Sequence, residues 1–287
     1  MKRGRAYWRL LKPGITISNT IAAVAGLLLG IAVTGNWDGA VVVGLTLGIA
    51  AVIGSACAVN NVLDEKIDAK MSRTKKREVV TGVIGKRAAL VYAAALGAIG
   101  FSCLFLLTNT LTLLLGVVAY LSYVVIYGAA KRRTIWSTII GTLPGALPPV
   151  AGYTAITGRL DATTFVLFMM MALWQLGHFY AIAMFRRDDY RAAGIPVWSV
   201  TKGMASTKRQ LYVGVWLFLL VAPLLSLLRV TGLMYAFIMV LTGLWWVVTG
   251  WRNYQLEDAK WARKMFGVSL VVLLVMCGAI AIGGFAP

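Results

Sequence analysis

The sequence has few charged residues, and most of its charges are positive. Asp and Glu number only 10 of 287 residues, against 28 Lys and Arg, and charged residues make up 13% of the chain. Soluble proteins are about one-quarter charged, so this composition excludes an ordinary soluble domain. The chain has one histidine and three cysteines, Cys57, Cys103 and Cys277. Their number and spacing exclude a disulfide framework and a zinc site built from Cys and His.

Hydrophobic residues make up 60% of the chain and occur in long runs. A membrane-spanning helix needs about 20 apolar residues. Reading the sequence in windows of that length predicts an all-α polytopic membrane protein with nine transmembrane helices. The predicted spans are 14–33, 40–61, 88–107, 111–128, 137–156, 163–184, 210–228, 232–250 and 266–284.

The Lys and Arg residues lie almost entirely on one side of these spans. All but Arg159 and Arg229 of the 28 precede the first span or lie in loops on the same side. The positive-inside rule therefore predicts a cytoplasmic amino terminus, cytoplasmic basic loops and an external carboxyl terminus. The expected location is the cytoplasmic membrane of a bacterium or archaeon. Topology and contact with anionic lipid account for the net charge of +18, so no nucleic-acid partner is expected.

An acidic cluster follows the second span. Asn60, Asp64 and Asp68 are four residues apart, so on a helix they share one face. Mg²⁺ prefers such oxygen ligands and is commonly held by one or two carboxylates together with substrate phosphates. Five Lys and Arg residues between positions 70 and 77 are suited to the remaining phosphate charge. The pattern indicates a site for a metal and a phosphate at the membrane edge.

The sixth span ends in a second polar group, around the only histidine. Gln175, His178 and Tyr180 interrupt an apolar segment, and the acids and bases of residues 186–191 follow. Ionisable groups inside a membrane span are costly and are functional candidates by default. Because His178 lies near the interface and can be neutral at pH 7, a structural hydrogen bond to another helix is the alternative interpretation.

Three prolines lie in the fifth span, Pro144, Pro148 and Pro149. Proline removes backbone hydrogen bonds and bends helices. Backbone broken in this way is tolerated where it lines protein or a cavity. A ligand cavity and a packing kink both explain these residues.

These motifs resemble those of the UbiA superfamily of intramembrane prenyltransferases. The first signature of that superfamily is similar to Asn60, Asn61, Asp64 and Asp68 followed by Arg73, Thr74 and Arg77. Residues 145–149, 174–183 and 186–197 resemble the haem branch of the superfamily. The likeness extends over nearly the whole chain. One departure is that the second motif has His178 and Phe179 where many members carry two aspartates four residues apart.

The resemblance implies a single membrane domain over residues 1–287, with nine helices around a central cavity. It also implies transfer of the farnesyl group of farnesyl diphosphate to a vinyl group of haem B, with addition of water. Mg²⁺ is the implied cofactor, and haem B is a substrate rather than a prosthetic group. Oligomeric state and assembly partners are not implied.

The resemblance further implies roles for particular residues. The candidate catalytic residues are Asp64, Asp68 and His178. The candidate metal ligands are Asn60, Asn61, Asp64, Asp68, Asp188 and Asp189. The candidate diphosphate ligands are Lys70, Arg73, Arg77 and Lys131, and the candidate haem-binding residues are His178, Arg186 and Arg187. For His178, ligation of the iron, orientation of the porphyrin and assistance to water addition all remain open.

Two alternatives stay open from the sequence. A prenyltransferase with the same diphosphate site could act on a quinone precursor or another aromatic acceptor, although the His178 segment argues against it. A transporter would bind ions near the middle of the membrane. The carboxylates of this chain stand at the predicted cytoplasmic ends of spans, which argues against a transporter.

Overall fold

The computed structural model describes residues 2–285 as helices joined by turns, without a strand in that range. Nine helical segments of this range are long and apolar enough to cross a membrane. They are α1 (Pro13–Thr34), α2 (Gly39–Leu63), α3 (Lys86–Leu107), α4 (Thr110–Arg133), α5 (Ser137–Thr157), α6 (Ala162–Phe185), α7 (Met204–Leu227), α8 (Leu233–Arg252) and α9 (Asp258–Gly283). The predicted all-α multi-pass architecture is confirmed. Residues 1, 286 and 287 of the predicted domain lie outside the described residues.

Four shorter helices lie outside the spans, and three spans are internally divided. The short helices are Lys2–Leu10, Glu65–Asp68, Arg187–Ala192 and Trp198–Thr201. The divided spans are α4 (Thr110–Leu121, the π-helix Ser122–Tyr127 and Gly128–Arg133), α5 (Ser137–Ile140 and Thr142–Thr157) and α7 (Met204–Val221 and Leu224–Leu227). The short helices before α1, after α2 and after α6 all stand on the side of the basic loops.

The largest difference from the predicted boundaries is at α9. This helix begins at Asp258, whereas the predicted span begins at 266. The extra turns carry Lys260, Arg263 and Lys264. An apolar window detects only the part of a helix that suits lipid, so it misses polar turns that continue the helix beyond the membrane. For the same reason α7 begins at Met204 rather than 210.

The turn between α3 and α4 has only two residues, so these helices form the tight antiparallel hairpin that the short connection predicts. Asn109 caps α4 because its side-chain oxygen accepts a hydrogen bond of 2.9 Å from the Thr112 N–H. Its side-chain nitrogen donates to the Thr154 carbonyl at 2.7 Å and to the Ala155 carbonyl at 3.1 Å. One asparagine therefore fixes the hairpin to the end of α5.

α1 and α5 are in direct backbone contact. A Cβ at Gly26 would lie 1.9 Å from the Pro149 carbonyl oxygen, and a Cβ at Gly152 would lie 1.8 Å from the Ala23 carbonyl oxygen. Small residues allow such close approach between membrane helices, where packing replaces the hydrophobic driving force. Glycine at both positions therefore sets the distance between α1 and α5.

The prolines of α5 do not interrupt the helix that contains them. Residues 142–157 form one helix, with Pro148 and Pro149 inside it. Pro144 lies in the first turn, where an N–H has no partner within the helix and its loss costs little. α5 is also the most buried of the nine spans. Backbone left without hydrogen bonds by the two inner prolines is tolerated where protein encloses the helix in this way.

Five helices surround a central cavity and four support them from outside. The cavity is lined by residues of α1, α2, α4, α5 and α6. α3 packs along α2, while α7 and α9 pack against α6, and α9 also contacts α1. The apolar residues Phe105 and Leu106 of α3 are exposed, as expected for a surface that faces lipid.

We expect Gly26→Ala to destabilise the protein by about 1–3 kcal/mol, because the added methyl group meets backbone atoms of α5 that cannot rotate away. Thermal unfolding in detergent micelles measures the effect. The matched control is Gly278→Ala in α9, where a Cβ would have no neighbour within 4 Å. Equal unfolding temperatures for the two variants would contradict the close contact between α1 and α5.

Candidate active site

A cavity of about 570 Å³ lies between the five inner helices. Its polar end is on the side of the basic loops and is lined by Lys12, Asn60, Asp64, Asp68, Arg73, Arg77 and Lys131. Aliphatic residues such as Ile49, Val52 and Leu115 line the deeper part. His178 lines the same cavity from α6. One space therefore connects a charged end, an apolar interior and the only histidine.

Asn60, Asp64 and Asp68 converge as their spacing predicts. α2 ends at Leu63, but the Asp64 N–H donates to the Asn60 carbonyl at 2.9 Å, and the Asp68 N–H donates to the Asp64 carbonyl at 2.8 Å. These bonds continue the helical spacing into the short helix Glu65–Asp68. All three side chains are buried and line the cavity.

Each of these oxygen-bearing side chains has a basic partner. Lys12 donates to the Asn60 side-chain oxygen at 2.6 Å. Lys131 forms an ion pair with Asp64, and Arg77 forms one with Asp68. A charge buried away from water needs such a partner. The cations that neutralise the carboxylates therefore stand beside them in the cavity.

Lys12 is a site residue that the sequence interpretation missed. Its backbone adopts the left-handed conformation, with φ of 50°, which is uncommon for a residue other than glycine. This conformation turns the chain sharply before Pro13, at the start of α1. Burial lowers the pKa of Lys12 to about 8, and the nearby Arg77 and Lys131 cations act in the same direction. The sequence signal for this role was the position of Lys12 directly before Pro13, at the start of the first apolar run.

The π-helix of α4 brings two tyrosines and a lysine to the cavity. Tyr123 and Tyr127 both line it, and their stacked rings have centroids 5.7 Å apart. The Lys131 ammonium lies 5.6 Å from the Tyr127 ring centroid. Insertions of this kind in a helix occur frequently at functional sites. These residues are four apart, so helical spacing places them on one face, but it does not show that this face lines the cavity.

Six residues predicted for the site are not brought to the cavity wall, and Asn61 and Lys70 are the two from the first motif. The Asn61 side-chain nitrogen donates to the Leu10 carbonyl at 2.9 Å, so this residue holds the helix Lys2–Leu10 against α2. The Asn61 side-chain oxygen is buried without a partner in the described residues. Lys70 is exposed and is not among the residues that line the cavity.

His178 is held between aromatic side chains and α9. Its ring stacks on Trp174 with centroids 4.9 Å apart and lies 4.8 Å from the Phe266 centroid. His178 Nδ1 is 2.7 Å from the Ser269 hydroxyl oxygen. Gln175, one turn earlier on the cavity wall, donates to the Met171 carbonyl at 3.1 Å. The predicted structural hydrogen bond of His178 is present, and so is its access to the cavity.

Asp189 links the two polar loops rather than lining the cavity. Its carboxylate accepts hydrogen bonds from the Ser72 N–H at 2.8 Å and from the Ser72 hydroxyl at 2.6 Å. Burial acts to raise its pKa, but the bonds from Ser72 and the nearby Arg186 and Arg73 cations outweigh it and lower the pKa. The linking carboxylate therefore stays charged at neutral pH. Asp188 is exposed and pairs with Arg191 at 3.2 Å.

Arg186 and Arg187 also lie outside the cavity lining. Arg186 is 3.8 Å from the Asp189 carboxylate and stands over the Phe185 ring. The Nε atoms of both arginines are buried without a hydrogen-bond partner in the described residues. Their predicted role in haem binding therefore stays a prediction, without support from the cavity lining.

The oxygen donors of the cavity fit Mg²⁺. The described residues contain no group of three or more His, Cys, Asp or Glu side chains placed to hold a metal. Asn60, Asp64 and Asp68 instead offer one amide and two carboxylates in a shared cavity. Mg²⁺ usually binds one or two carboxylates and completes its shell with water and substrate phosphates. These ligands therefore suit a metal that binds together with a diphosphate.

Residues 19–281 match the UbiA prenyltransferase family. This chain belongs to that family. The match covers most of the chain and includes both polar motifs and all five helices that line the cavity. The family assignment shows an intramembrane prenyltransferase and favours an enzyme over a transporter.

Curated relatives and a solved structure agree with this assignment. "Protoheme IX farnesyltransferase 1" of Shewanella frigidimarina is 39% identical over 283 residues, which are 98% of this chain and 93% of the relative. "Protoheme IX farnesyltransferase 2" of Shewanella woodyi is 42% identical over 275 residues, 95% of this chain and 94% of the relative. A UbiA homologue from Archaeoglobus fulgidus, bound to GPP and Mg²⁺, matches with a TM-score of 0.71 and 16% identity over 96% of this chain and 99% of its own. At that identity the structural match supports the fold alone.

We expect Asp189→Asn to loosen the loop between α2 and α3, because an amide is a weaker partner for Ser72 than a carboxylate. Limited trypsin digestion of the purified protein measures the rate of cleavage at the Lys and Arg residues of positions 70–77. Cleavage should accelerate. The matched control is Asp188→Asn, since the Asp188 side chain is 92% exposed. Equal cleavage rates in both variants would show that the link does not hold the loop.

Proposed function

We propose that this protein is a haem O synthase, a protohaem IX farnesyltransferase. It transfers the farnesyl group of farnesyl diphosphate to a vinyl group of haem B with addition of water, which gives haem O and diphosphate. Relatives of that name at 39% and 42% identity support the substrates. The observation that carries the proposal is a single cavity lined both by Asp64 and Asp68 and by His178. Such a cavity offers a charged end for a diphosphate and a histidine-bearing wall for a second substrate.

The proposed metal ligands are Asn60, Asp64 and Asp68. When bound, Mg²⁺ supplies positive charge that stabilises the departing diphosphate. We leave Asn61 out of this set because its side chain bonds to Leu10. Asp188 and Asp189 lie outside the cavity lining, as do Arg186 and Arg187.

The proposed diphosphate ligands are Lys12, Arg73, Arg77 and Lys131, which all line the polar end of the cavity. The bond between farnesyl C1 and the diphosphate oxygen breaks, and its electron pair leaves with the diphosphate. Cations already in place stabilise that charge without reorganisation, which is often the largest catalytic term. The ion pairs with Asp64 and Asp68 hold Lys131 and Arg77 at the polar end of the cavity, where the diphosphate is proposed to bind.

The apolar wall protects the farnesyl cation. Ile49, Val52 and Leu115 line the deeper part of the cavity and exclude water from the reacting carbon. Tyr120 and Tyr123 also line it and present aromatic rings. The face of an aromatic ring attracts a cation. These side chains favour transfer to the acceptor over early capture by water.

The haem substrate is proposed to bind at the His178 end. A vinyl carbon forms the new bond to farnesyl C1, and the cation that develops beside the porphyrin takes up water and releases a proton. No redox change at iron is needed. His178, on the cavity wall near Trp174 and Phe179, is the proposed residue for this end.

The proposed location is the cytoplasmic membrane, with the polar end of the cavity facing the cytoplasm. The residues of that end lie on the same side as the basic loops, and the positive-inside rule places such loops in the cytoplasm. Water-soluble diphosphate then leaves on the cytoplasmic side.

We expect purified protein with Mg²⁺, haem B and farnesyl diphosphate to yield a farnesylated porphyrin, detected by chromatography and mass spectrometry. EDTA should abolish the product.

Asp64→Asn or Asp68→Asn should lower turnover by about a hundredfold or more, because each variant removes charge from the metal site. Asp188→Asn is the control and should retain activity. If the protein prenylated a quinone precursor and left haem unchanged, the haem assignment would be rejected, whereas the prenyltransferase activity would be retained.

We expect Lys131→Met to raise KM for farnesyl diphosphate and to lower kcat by about tenfold or more, because the departing diphosphate loses a cation that the cavity wall supplies. Lys70→Met removes the same charge from an exposed position, so its effect should be smaller. Steady-state kinetics at a fixed ionic strength measures both. A larger loss at Lys70 would contradict the assignment of diphosphate ligands from the cavity lining.

A further inference from the structure

Ser269 of α9 is fully buried and touches the functional end of α6 at two atoms. Its hydroxyl oxygen is 2.7 Å from His178 Nδ1, and its carbonyl oxygen accepts a bond of 2.7 Å from Trp174 Nε1. Trp174 and His178 are one helical turn apart and their rings stack. A single residue of α9 therefore fixes the position of both rings.

The second contact of the Ser269 hydroxyl decides the direction of its bond to His178. The hydroxyl oxygen is 2.6 Å from the Phe266 carbonyl oxygen, one turn earlier in α9. A carbonyl oxygen only accepts, and a hydroxyl has one proton to donate. Because that proton goes to Phe266, the Ser269 oxygen accepts from His178. Nδ1 then carries the imidazole proton.

The other ring nitrogen is free to act in the cavity. His178 Nε2 has no hydrogen-bond partner in the described residues, and it is not among their buried unpartnered atoms. Trp174, Phe179 and Phe266 surround the ring, and no described carboxylate pairs with it. A charged ring has no compensation in such surroundings, and a neutral imidazole carries only one N–H. We propose that Ser269 is a positioning residue that holds His178 with Nδ1 protonated and the Nε2 lone pair open to the cavity.

What this tautomer means for catalysis rests on the proposed function. In this tautomer His178 is an acceptor at the cavity, so it does not donate a hydrogen bond to a porphyrin carboxylate. Ligation of haem iron and removal of a proton from the attacking water both use the lone pair that Ser269 exposes. The sequence alone left these two roles open beside orientation of the porphyrin.

The experiment uses the fact that the chain has one histidine. Protein labelled with ¹⁵N-histidine and purified through a tag without histidine gives ring-nitrogen NMR signals from His178 alone. In wild-type protein without substrate, we expect Nδ1 at the protonated position and Nε2 at the unprotonated position. Ser269→Ala should mix the two tautomers or protonate Nε2. Ser269→Thr keeps the hydroxyl and should keep the wild-type tautomer.

The matched control is Ser55→Ala, which removes an equally buried serine hydroxyl between α2 and α3. The Ser55 hydroxyl donates to the Ala93 carbonyl at 2.7 Å, away from His178. This variant should leave the His178 signals unchanged. We also expect Ser269→Ala to lower turnover of haem B about tenfold, as loss of a partner that orients a histidine does elsewhere, and Ser269→Thr to restore it.

A protonated Nε2 in the wild-type protein would overturn the inference, as would an unchanged tautomer in Ser269→Ala. The wild-type spectrum decides even if a variant fails to fold. Since this spectrum is measured without substrate, it is independent of the acceptor. If the spectrum shows the predicted tautomer but haem is unchanged in the farnesyl assay, the proposed function is rejected and the positioning role of Ser269 is retained.

Discussion

The site depends on keeping two carboxylates buried at the edge of a membrane. Asp64 and Asp68 are only 5% and 4% exposed, and neither is tolerable there without a compensating charge. Lys131 and Arg77 provide that charge from α4 and from the loop after α2. The same cations are the groups that a diphosphate needs. Pairing in the free protein thus places proposed diphosphate ligands beside proposed metal ligands, and two of the four cations neutralise the two carboxylates before substrate binds.

The helices give this charged end an apolar cavity beneath it. α5 lies against the backbone of α1 because Gly26 and Gly152 leave no side chain between them. That contact fixes one wall, and Tyr123 and Lys131 of α4 line the cavity beside it. An apolar cavity wall lowers the local dielectric constant, which strengthens electrostatic interactions at the polar end. The fold and the chemistry therefore depend on the same packing.

The two acidic motifs of the sequence have different positions in the fold. The first lines the cavity through Asn60, Asp64 and Asp68. In the second, Asp189 reaches across to Ser72 and connects the loop after α6 with the loop after α2. A carboxylate that accepts two hydrogen bonds outside the cavity is suited to ordering the loop that carries the proposed diphosphate ligands Arg73 and Arg77. The carboxylates of the two motifs therefore have different positions, and only those of the first line the cavity.

The sequence by itself determined the nine spans, because a run of about 20 apolar residues matches the length of a helix that crosses the hydrocarbon core of a membrane. It also determined the shared face of Asn60, Asp64 and Asp68, because helical spacing is a local property. It did not give the starts of α7 and α9, whose polar turns continue the helix outside the apolar window. Only the tertiary structure decided that Lys12 enters the cavity while Lys70 and Asp189 do not, and that Ser269 contacts His178. These outcomes depend on which helices become neighbours and how a backbone turns, and no local pattern of residues carries that information.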